Sequence, residues 1–227
     1  MSSGDRNVRV VTKDFVYEQI KQKIITGSLQ PNENVVEESL AKELDVSRTP
    51  LRGALQQLEH EELLVRKQNG RLKVAPISAT EAKEIFMIRS RLEGLVARDA
   101  AERATKKDIT YLKHITKMIE DAEVQGIQED QVYFGMKFHT YLYEISGNKT
   151  ATKLLNLLND HINRYRRLGL INRAEQLDKN KDDHALILDY IEKGDLEKAE
   201  LFAQDHVNSS MEAAIERIKN SQFVKQN

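Results

Sequence analysis

The sequence predicts a mainly α-helical protein, with a small N-terminal domain followed by an all-helical bundle. The first observation is the order helix, short turn, helix in residues 36–58, followed by two strand-like runs. The second is the scarcity of helix breakers, because the chain has only 3 Pro and 10 Gly and most Gly fall where helical patterns end. The predicted fold is therefore a winged helix-turn-helix joined to a helical bundle.

The segment Val46–Leu58 is predicted to form the second helix of this motif. Leu51, Leu55 and Leu58 recur at spacings of four and three residues, so they share one face of a helix. Ser47 stands at the N-cap position, where its hydroxyl can accept a hydrogen bond from the first turn. The apolar face should pack on the domain core and leave the opposite face outward.

Two arginines mark another face of this helix. Arg48 and Arg52 are four residues apart, and no acidic residue separates them. Such a face suits a helix that enters the DNA major groove, where arginine commonly binds guanine. The alternative is an ordinary surface helix with two solvated arginines. The short helix before this segment and the hairpin after it favour DNA binding over that alternative.

The residues after this helix predict a β-hairpin rich in basic side chains. Residues 63–68 and 71–75 are strand-like, and the Asn-Gly pair between them is a strong signal for a tight hairpin turn. No Asp or Glu occurs from Leu63 to Thr80. The predicted DNA-binding residues are Ser47, Arg48, Thr49, Arg52, Arg66, Lys67, Asn69, Gly70, Arg71 and Lys73.

These segments resemble the GntR family of bacterial transcription regulators. The similarity lies in residues 40–55, which include the run VSRTPLR, and in the upstream residues 24–31. Gly53 stands where the family usually has Glu, and Glu38 stands where several members have an Arg that contacts phosphate. The resemblance implies a DNA-binding transcription regulator.

Composition narrows the remaining classes of protein. The 227 residues are 40% hydrophobic, which is enough for two domains that each bury a core. The absence of Cys excludes a disulfide framework and a thiolate metal site, and no apolar run approaches the roughly 18 residues of a membrane span. The net charge of −1 gives no indication of nucleic acid, so the DNA prediction rests on local clustering. We expect a cytoplasmic protein that is nucleoid-associated when bound to its operator.

We expect a winged helix-turn-helix domain in residues 1–76, an effector-binding and dimerisation domain in residues 77–221, and a flexible tail in residues 222–227. Residues 1–11 are expected to form a flexible arm, followed by an amphipathic helix in residues 12–26. Gly126, Gly147, Gly169 and Gly194 are expected to separate the helices of the second domain. Those helices are predicted in residues 79–104, 107–125, 129–146, 149–170, 173–193 and 195–220.

Three of the 6 histidines lie inside amphipathic helices among apolar neighbours. If His139, His184 and His206 face inward, their neutral imidazoles form a site for a divalent transition metal, zinc-like or nickel-like. Two alternatives stay open. One is a polar, metal-free cavity whose histidines hydrogen-bond the effector directly, and the other is three unrelated core histidines.

The histidine spacings of 45 and 22 residues resemble the metal-binding effector domain of the FadR branch of GntR regulators. That pattern has an Asp four residues before the first His, where this chain has Gly135, so an anion or water should complete the metal shell. The resemblance also implies that Arg89 binds the carboxylate of a small organic-acid effector. The alternative for Arg89 is a simple ion pair with Glu93, one turn further on.

The sequence thus predicts a ligand-responsive transcription regulator, a repressor, that binds a palindromic operator as a homodimer. One recognition helix reads too few base pairs for specificity, so two are needed. The alternative function is a metal-dependent hydrolase or lyase that uses the three histidines and a bound water. Such an enzyme needs a nearby carboxylate, but the positions one turn from the histidines hold Gly135, Leu188, Phe202 and Ser210. Asp183 and Asp205 adjoin histidines in sequence and are expected on adjacent faces.

Overall fold

The computed structural model describes residues 3–170 and 183–220. Three helices and a hairpin form its N-terminal part: α1 (Ser3–Thr26), α2 (Glu37–Glu43), α3 (Arg48–His60), β1 (Leu64–Arg66) and β2 (Leu72–Val74). The two strands are antiparallel, and Val65 lies opposite Lys73. This arrangement confirms the predicted winged helix-turn-helix.

Helices alone make up the rest of the described chain. They are α4 (Ala79–Arg103), α5 (Lys106–Val124), α6 (Gln128–Ser146), α7 (Lys149–Leu170), α8 (Asp183–Lys193) and α9 (Leu196–Lys219). The prediction of an all-helical second part is confirmed over these residues. Among them, no helix is both long and apolar enough to cross a membrane.

The apolar face of α3 lies in the core of the N-terminal part. Leu51, Leu55 and Leu58 are almost completely buried, as the four- and three-residue spacing predicts. They pack in one cluster with residues of α1 and the hairpin: Val16, Ile20, Ile24, Leu64, Leu72 and Val74. Because this cluster fixes one face of α3, the face that carries Arg48 and Arg52 points to solvent.

A second core joins α4, α5, α6, α8 and α9. Its buried residues include Val96, Ala100, Leu112, Phe138, Leu142, Ile187, Ile191 and Ala203. Gly147 ends α6 in the left-handed conformation, with φ of 62°, which glycine adopts without a Cβ clash. Gly126 and Gly194 also have positive φ at helix ends, so three of the predicted glycine breaks are in place.

Several local predictions differ from the structure. Helix α1 begins at Ser3, so the flexible arm expected in residues 1–11 is wrong for the described residues 3–11. Ser47 occupies the N-cap of α3 in an extended conformation, but its hydroxyl makes no capping hydrogen bond. Gly169 is the last but one described residue of α7, so the break expected there lies at the limit of the described residues. Residues 173–182 of one predicted helix and the tail in residues 222–227 lie outside the described residues.

Contacts divide the chain into two units. Among the described residues, the first unit contains residues 3–79, 163–170 and 217–220, and the second contains residues 80–162 and 183–216. Each unit has its own apolar cluster. The domain boundaries expected from the sequence stay a prediction.

The second core also contains an ion pair between side chains one turn apart on α4. Arg89 and Glu93 are each only 2% exposed. The guanidinium of Arg89 donates from Nε and Nη2 to Glu93 Oε1, over 3.0 and 2.9 Å. A buried charge that loses its partner is strongly destabilising, because neither water nor a counterion can replace the missing interaction.

Glu93→Gln should therefore lower the free energy of unfolding of the second unit by about 3–5 kcal/mol, since Arg89 stays charged without its partner. The measurement is guanidinium unfolding of the chelator-treated protein, followed by circular dichroism.

Glu192→Gln is the matched control. Glu192 pairs with Lys113 over 2.7 Å, but both side chains are about half exposed. Its replacement should cost about 0–1 kcal/mol, the usual range for surface pairs. Equal losses in the two variants would contradict the view that Arg89 depends on Glu93.

Candidate DNA-reading surface and metal centre

The outward face of α3 carries the side chains that the sequence predicts for base reading. Ser47, Arg48, Thr49 and Arg52 are all exposed. Gln56 continues the same face one turn beyond Arg52, and it is also exposed. Gln56 was not among the predicted DNA-binding residues, although it continues the four-residue spacing of Arg48 and Arg52.

The two arginines of this face have different surroundings. Arg52 Nε lies 2.9 Å from Glu37 Oε2 on α2. The sequence has no acidic residue between Arg48 and Arg52, but this glutamate reaches Arg52 from the neighbouring helix. Arg48 has no side-chain partner among the described residues. The first two turns of α3 therefore present one guanidinium without a partner among the described residues and one that is paired with Glu37.

The turn of the wing has the geometry that its Asn-Gly pair predicts. Gly70 has φ of 78°, and its N–H donates to the Lys67 carbonyl over 2.9 Å. The N–H of Arg71 donates to Asn69 Oδ1 over 3.1 Å, which fixes the backbone after the turn. The Arg71 side chain is exposed and has no partner among the described residues.

The other basic residues of the wing are already engaged within the N-terminal part. Arg66 donates to both carboxylate oxygens of Glu59 and to the Gly70 carbonyl. Lys67 Nζ donates to Asn34 Oδ1 over 2.8 Å, and Lys73 Nζ donates to Asn32 Oδ1 over 3.0 Å. These contacts hold the wing against α3 and the loop before α2, which leaves Arg71 as the most available wing cation.

The three predicted histidines come together in the second unit. His139 on α6, His184 on α8 and His206 on α9 each offer a nitrogen atom within 4.8 Å of the other two. Their ring centroids are 4.4–5.5 Å apart. His139 and His206 are each 5% exposed, and His184 is half-buried. The reading as three unrelated core histidines is therefore wrong.

The chemistry of this cluster fits a zinc-like or nickel-like ion. Imidazole nitrogens bind such ions at about 2.0–2.1 Å, so two ligand atoms at a tetrahedral angle on one ion are about 3.4 Å apart. Separations up to 4.8 Å require the ring nitrogens to close by up to about 1.4 Å around an ion. His139 Nε2 is buried and has no hydrogen-bond partner among the described residues, which leaves a lone pair for a metal.

Glu93 ties His139 to its surroundings. Its Oε2 lies 3.1 Å from His139 Nδ1, while its Oε1 accepts from Tyr143 Oη over 2.5 Å and from Arg89. Burial alone would raise the pKa of Glu93, but the charges of its partners and its hydrogen bonds hold that pKa well below its usual range. Burial lowers the pKa of His139 to about 4. The pair is therefore an ionised carboxylate and a neutral imidazole whose Nδ1–H points at it.

A second carboxylate supports another histidine of the cluster. Asp183 Oδ2 lies 3.3 Å from His206 Nδ1. The expectation that Asp183 points to an adjacent face is wrong, because the aspartate on α8 reaches across to a histidine on α9. Glu93 was likewise not predicted as a histidine partner, because it lies on α4 and not on the helix of His139.

The surroundings of Arg89 bear on both interpretations of this residue, the ion pair with Glu93 and the contact with an effector carboxylate. Its ion pair with Glu93 is present, as the simpler interpretation expects. Its Nη1, however, is buried without a hydrogen-bond partner among the described residues, so one strong donor is left for another group. An added Cβ at Gly135 would lie 3.9 Å from His184 Nε2, which is ordinary van der Waals contact.

Comparison with known proteins assigns both parts of the chain. Residues 12–74 match the bacterial regulatory proteins of the gntR family, and residues 84–209 match the FCD domain. An uncharacterised HTH-type transcriptional regulator of Bacillus subtilis, YdhC, is 30% identical over 199 residues, which cover 86% of this chain and 88% of YdhC. The HTH-type transcriptional repressor GlaR of Escherichia coli is 26% identical, with 84% of this chain and 90% of GlaR covered.

Solved structures show the same fold. Escherichia coli McbR/YncC superposes with a TM-score of 0.75 and 19% identity, covering 90% of this chain and 97% of that one. The Rhodococcus regulator described as a putative GntR protein gives a TM-score of 0.73 at 16% identity. The three-histidine hydrolase or lyase is not favoured, since the matched families and relatives are transcription regulators. The chain belongs to the GntR family, with an FCD domain behind its winged helix-turn-helix, and it is a DNA-binding transcription regulator.

Proposed function

We propose that this regulator is a repressor that binds a palindromic operator as a homodimer and responds to a small carboxylate through a metal centre in its second unit. The observation that carries the proposal is the cluster of His139, His184 and His206, within 4.8 Å of one another. Neither the DNA-reading face nor the helix-turn-helix needs this cluster. Its place in the FCD region, with buried Arg89 close by, supports a ligand-sensing role.

The unpaired cations of the N-terminal part support the assignment of roles on DNA. Arg48 projects from the first turn of α3, the part of a recognition helix that meets base edges. Arg71 projects from the wing and can reach phosphates, which fix register but carry no sequence information. We assign base reading to Arg48 and Arg52, and phosphate contact to Arg71, with Lys67 and Lys73 in support.

The homodimer is supported by an apolar stripe on the outer face of α4. Met87, Ile88 and Leu95 are 52%, 56% and 38% exposed. Their positions in the helix place them on one side, where a second copy of the chain would cover them. Two copies related by a two-fold axis would present two recognition helices to a palindromic operator.

The response to a ligand follows from differential binding. The dimer can place its two recognition helices in two different arrangements, and only one of them fits the operator. If the carboxylate has different affinities for these two states of the protein, its binding changes the affinity for the operator by at most the ratio of its own two affinities. The metal would act as a Lewis acid that fixes the carboxylate, and the histidines would orient the metal. Because this activity is exercised on operator DNA, we place the protein in the cytoplasm.

Loss of Arg48 should remove sequence discrimination. For a duplex selected from a random library by the wild-type protein, Arg48→Ala should weaken binding by the 1–3 kcal/mol that a good arginine–guanine pair contributes, about 5- to 150-fold. Arg71→Ala should instead weaken binding to selected and scrambled duplexes alike and lower the salt slope by about one unit.

Arg98→Ala on α4 is the control, because it removes a half-exposed arginine of the second unit, which pairs with Glu200 over 3.2 Å. Fluorescence anisotropy at several salt concentrations separates the three variants. Wild-type affinity of Arg48→Ala for the selected duplex would remove α3 from base reading.

Ile88→Asp should convert the dimer to monomer at micromolar concentration, because it places a charge in the centre of the proposed interface. Analytical ultracentrifugation is the measurement. Val124→Asp is the matched control, since Val124 is 88% exposed at the end of α5 and lies outside the stripe. A dimer that persists in Ile88→Asp would place the interface elsewhere.

His184→Ala should abolish stoichiometric zinc binding and leave binding of the metal-free protein to the selected duplex unchanged. Elemental analysis of untagged protein after incubation with zinc and gel filtration gives the metal content. His114→Ala, which removes an exposed histidine of α5, should keep one zinc per chain. If the wild-type protein retains no zinc, the metal centre is wrong, and the alternative of a metal-free cavity whose histidines bind the effector directly takes its place.

A further inference from the structure

A lysine of α1 lies directly against the recognition helix. Lys13 is half-buried, and its Cγ, Cδ and Cε atoms lie 3.4–3.6 Å from the position that an added Cβ at Gly53 would occupy. A lysine stem packs in this way on a protein surface while its head group keeps its charge in water. Because Nζ is one bond beyond Cε, the charge of Lys13 also lies close to α3.

The glycine at position 53 makes this approach possible. Glycine inside a helix costs about 0.5–1 kcal/mol relative to alanine, so its presence in the middle of α3 calls for a reason in the packing. An alanine here would just touch the lysine stem, at 3.4 Å from Cδ. Any longer side chain would compete for the space that the stem of Lys13 fills.

Lys13 and the wing lie on opposite sides of the outward face of α3. Successive residues of a helix are about 100° apart around its axis, so Arg52 and Gly53 point to different sides. Arg52 faces Glu37 of α2, and Glu59, seven residues later and on the same side as Arg52, holds the wing. Gly53 faces Lys13. A helix in the major groove has a phosphate strand along each side, so Lys13 lies on the side that the wing does not cover.

The charge of Lys13 is not compensated within the described residues. Its ammonium has neither an ion pair nor a hydrogen bond there, in contrast to Arg52 with Glu37. The residues three and four positions away on α1 are Arg9, Val10, Val16 and Tyr17, none of them acidic. Helix neighbours at these spacings are the usual source of a local counterion. The lysine is therefore available to an anion from outside the chain.

We propose that Lys13 is a phosphate anchor of the recognition helix, reaching DNA across Gly53 on the side of α3 opposite to the wing. The inference rests on the proposed placement of α3 in the major groove. A lysine ammonium binds phosphate as a point charge, and phosphate contacts fix the register of a protein on DNA without reading sequence. With Arg71 of the wing on one strand and Lys13 on the other, both edges of the groove would be held.

Lys13→Met tests the anchor, because it removes the charge and keeps an unbranched stem over Gly53. Fluorescence anisotropy should show weaker binding both to a duplex selected by the wild-type protein and to a scrambled duplex. The salt slope should fall by about one unit. The affinity advantage of the wild type should accordingly shrink about 3-fold between about 50 and 200 mM salt. Lys13→Arg keeps the charge and should keep the slope.

Lys21→Met is the matched control on the same helix. Lys21 is also half-buried, and it lies eight residues after Lys13, about 12 Å further along α1. Its Nζ donates to Tyr17 Oη over 3.0 Å, and this hydroxyl donates to Glu61, just beyond the C-terminal end of α3. Its replacement should leave the salt slope unchanged. Circular dichroism should show wild-type helix content in every variant.

Gly53→Gln tests the role of the glycine. It places a neutral side chain where the lysine stem lies, and it should lower the salt slope by the same one unit. In the Lys13→Met background it should lower the slope no further, because the slope counts charges on phosphates and this charge is already absent.

Four results would contradict these expectations. An unchanged salt slope in Lys13→Met, together with weakened binding by Arg48→Ala, overturns the anchor while α3 stays in the groove. Wild-type binding by both variants removes the placement of α3 and the anchor with it. A loss in Lys13→Met that is confined to the selected duplex shows that Lys13 reads a base and not a phosphate. A wild-type slope in Gly53→Gln overturns the role given to the glycine.

Discussion

The buried carboxylate of Glu93 is the interaction on which the second unit depends. One oxygen accepts from Arg89 and Tyr143, and the other faces His139 Nδ1. Without Glu93, the buried guanidinium would have no counterion, and the imidazole would lose the group that selects its tautomer. The carboxylate of Glu93 therefore neutralises the buried charge of Arg89. It also orients His139 so that one ring nitrogen faces His184 and His206.

The N-terminal unit follows a simpler constraint. Leucines on one face of α3 are buried against α1 and the hairpin, so its polar face must be outward. Salt bridges and amide contacts then occupy most of the basic side chains, including Arg66 with Glu59 and Arg52 with Glu37. Arg48 and Arg71 remain exposed, one on the recognition helix and the other on the wing. Local packing thus distinguishes cations that shape the domain from cations available to DNA.

Much of this could be predicted because the relevant signals are local. The leucine spacing of α3, the Asn-Gly turn and the glycines at helix ends each determine a short segment, and the structure contains all three. The convergence of the histidines followed from their apolar surroundings together with family resemblance. Partners from other elements could not be predicted in this way. Glu93 reaches His139 from α4, Asp183 reaches His206 from α8, and Glu37 reaches Arg52 from α2, and sequence periodicity contains no information on such contacts.

The central claim is that the three imidazoles form a metal centre within a DNA-binding regulator. X-ray absorption spectroscopy at the zinc edge tests it most directly, on untagged protein loaded with one equivalent of zinc. The account predicts three imidazole nitrogens at about 2.0–2.1 Å, with the remaining scattering from oxygen. His184→Ala should lose this spectrum. A first shell of oxygen alone, or the same spectrum in the His184→Ala variant, would contradict the account.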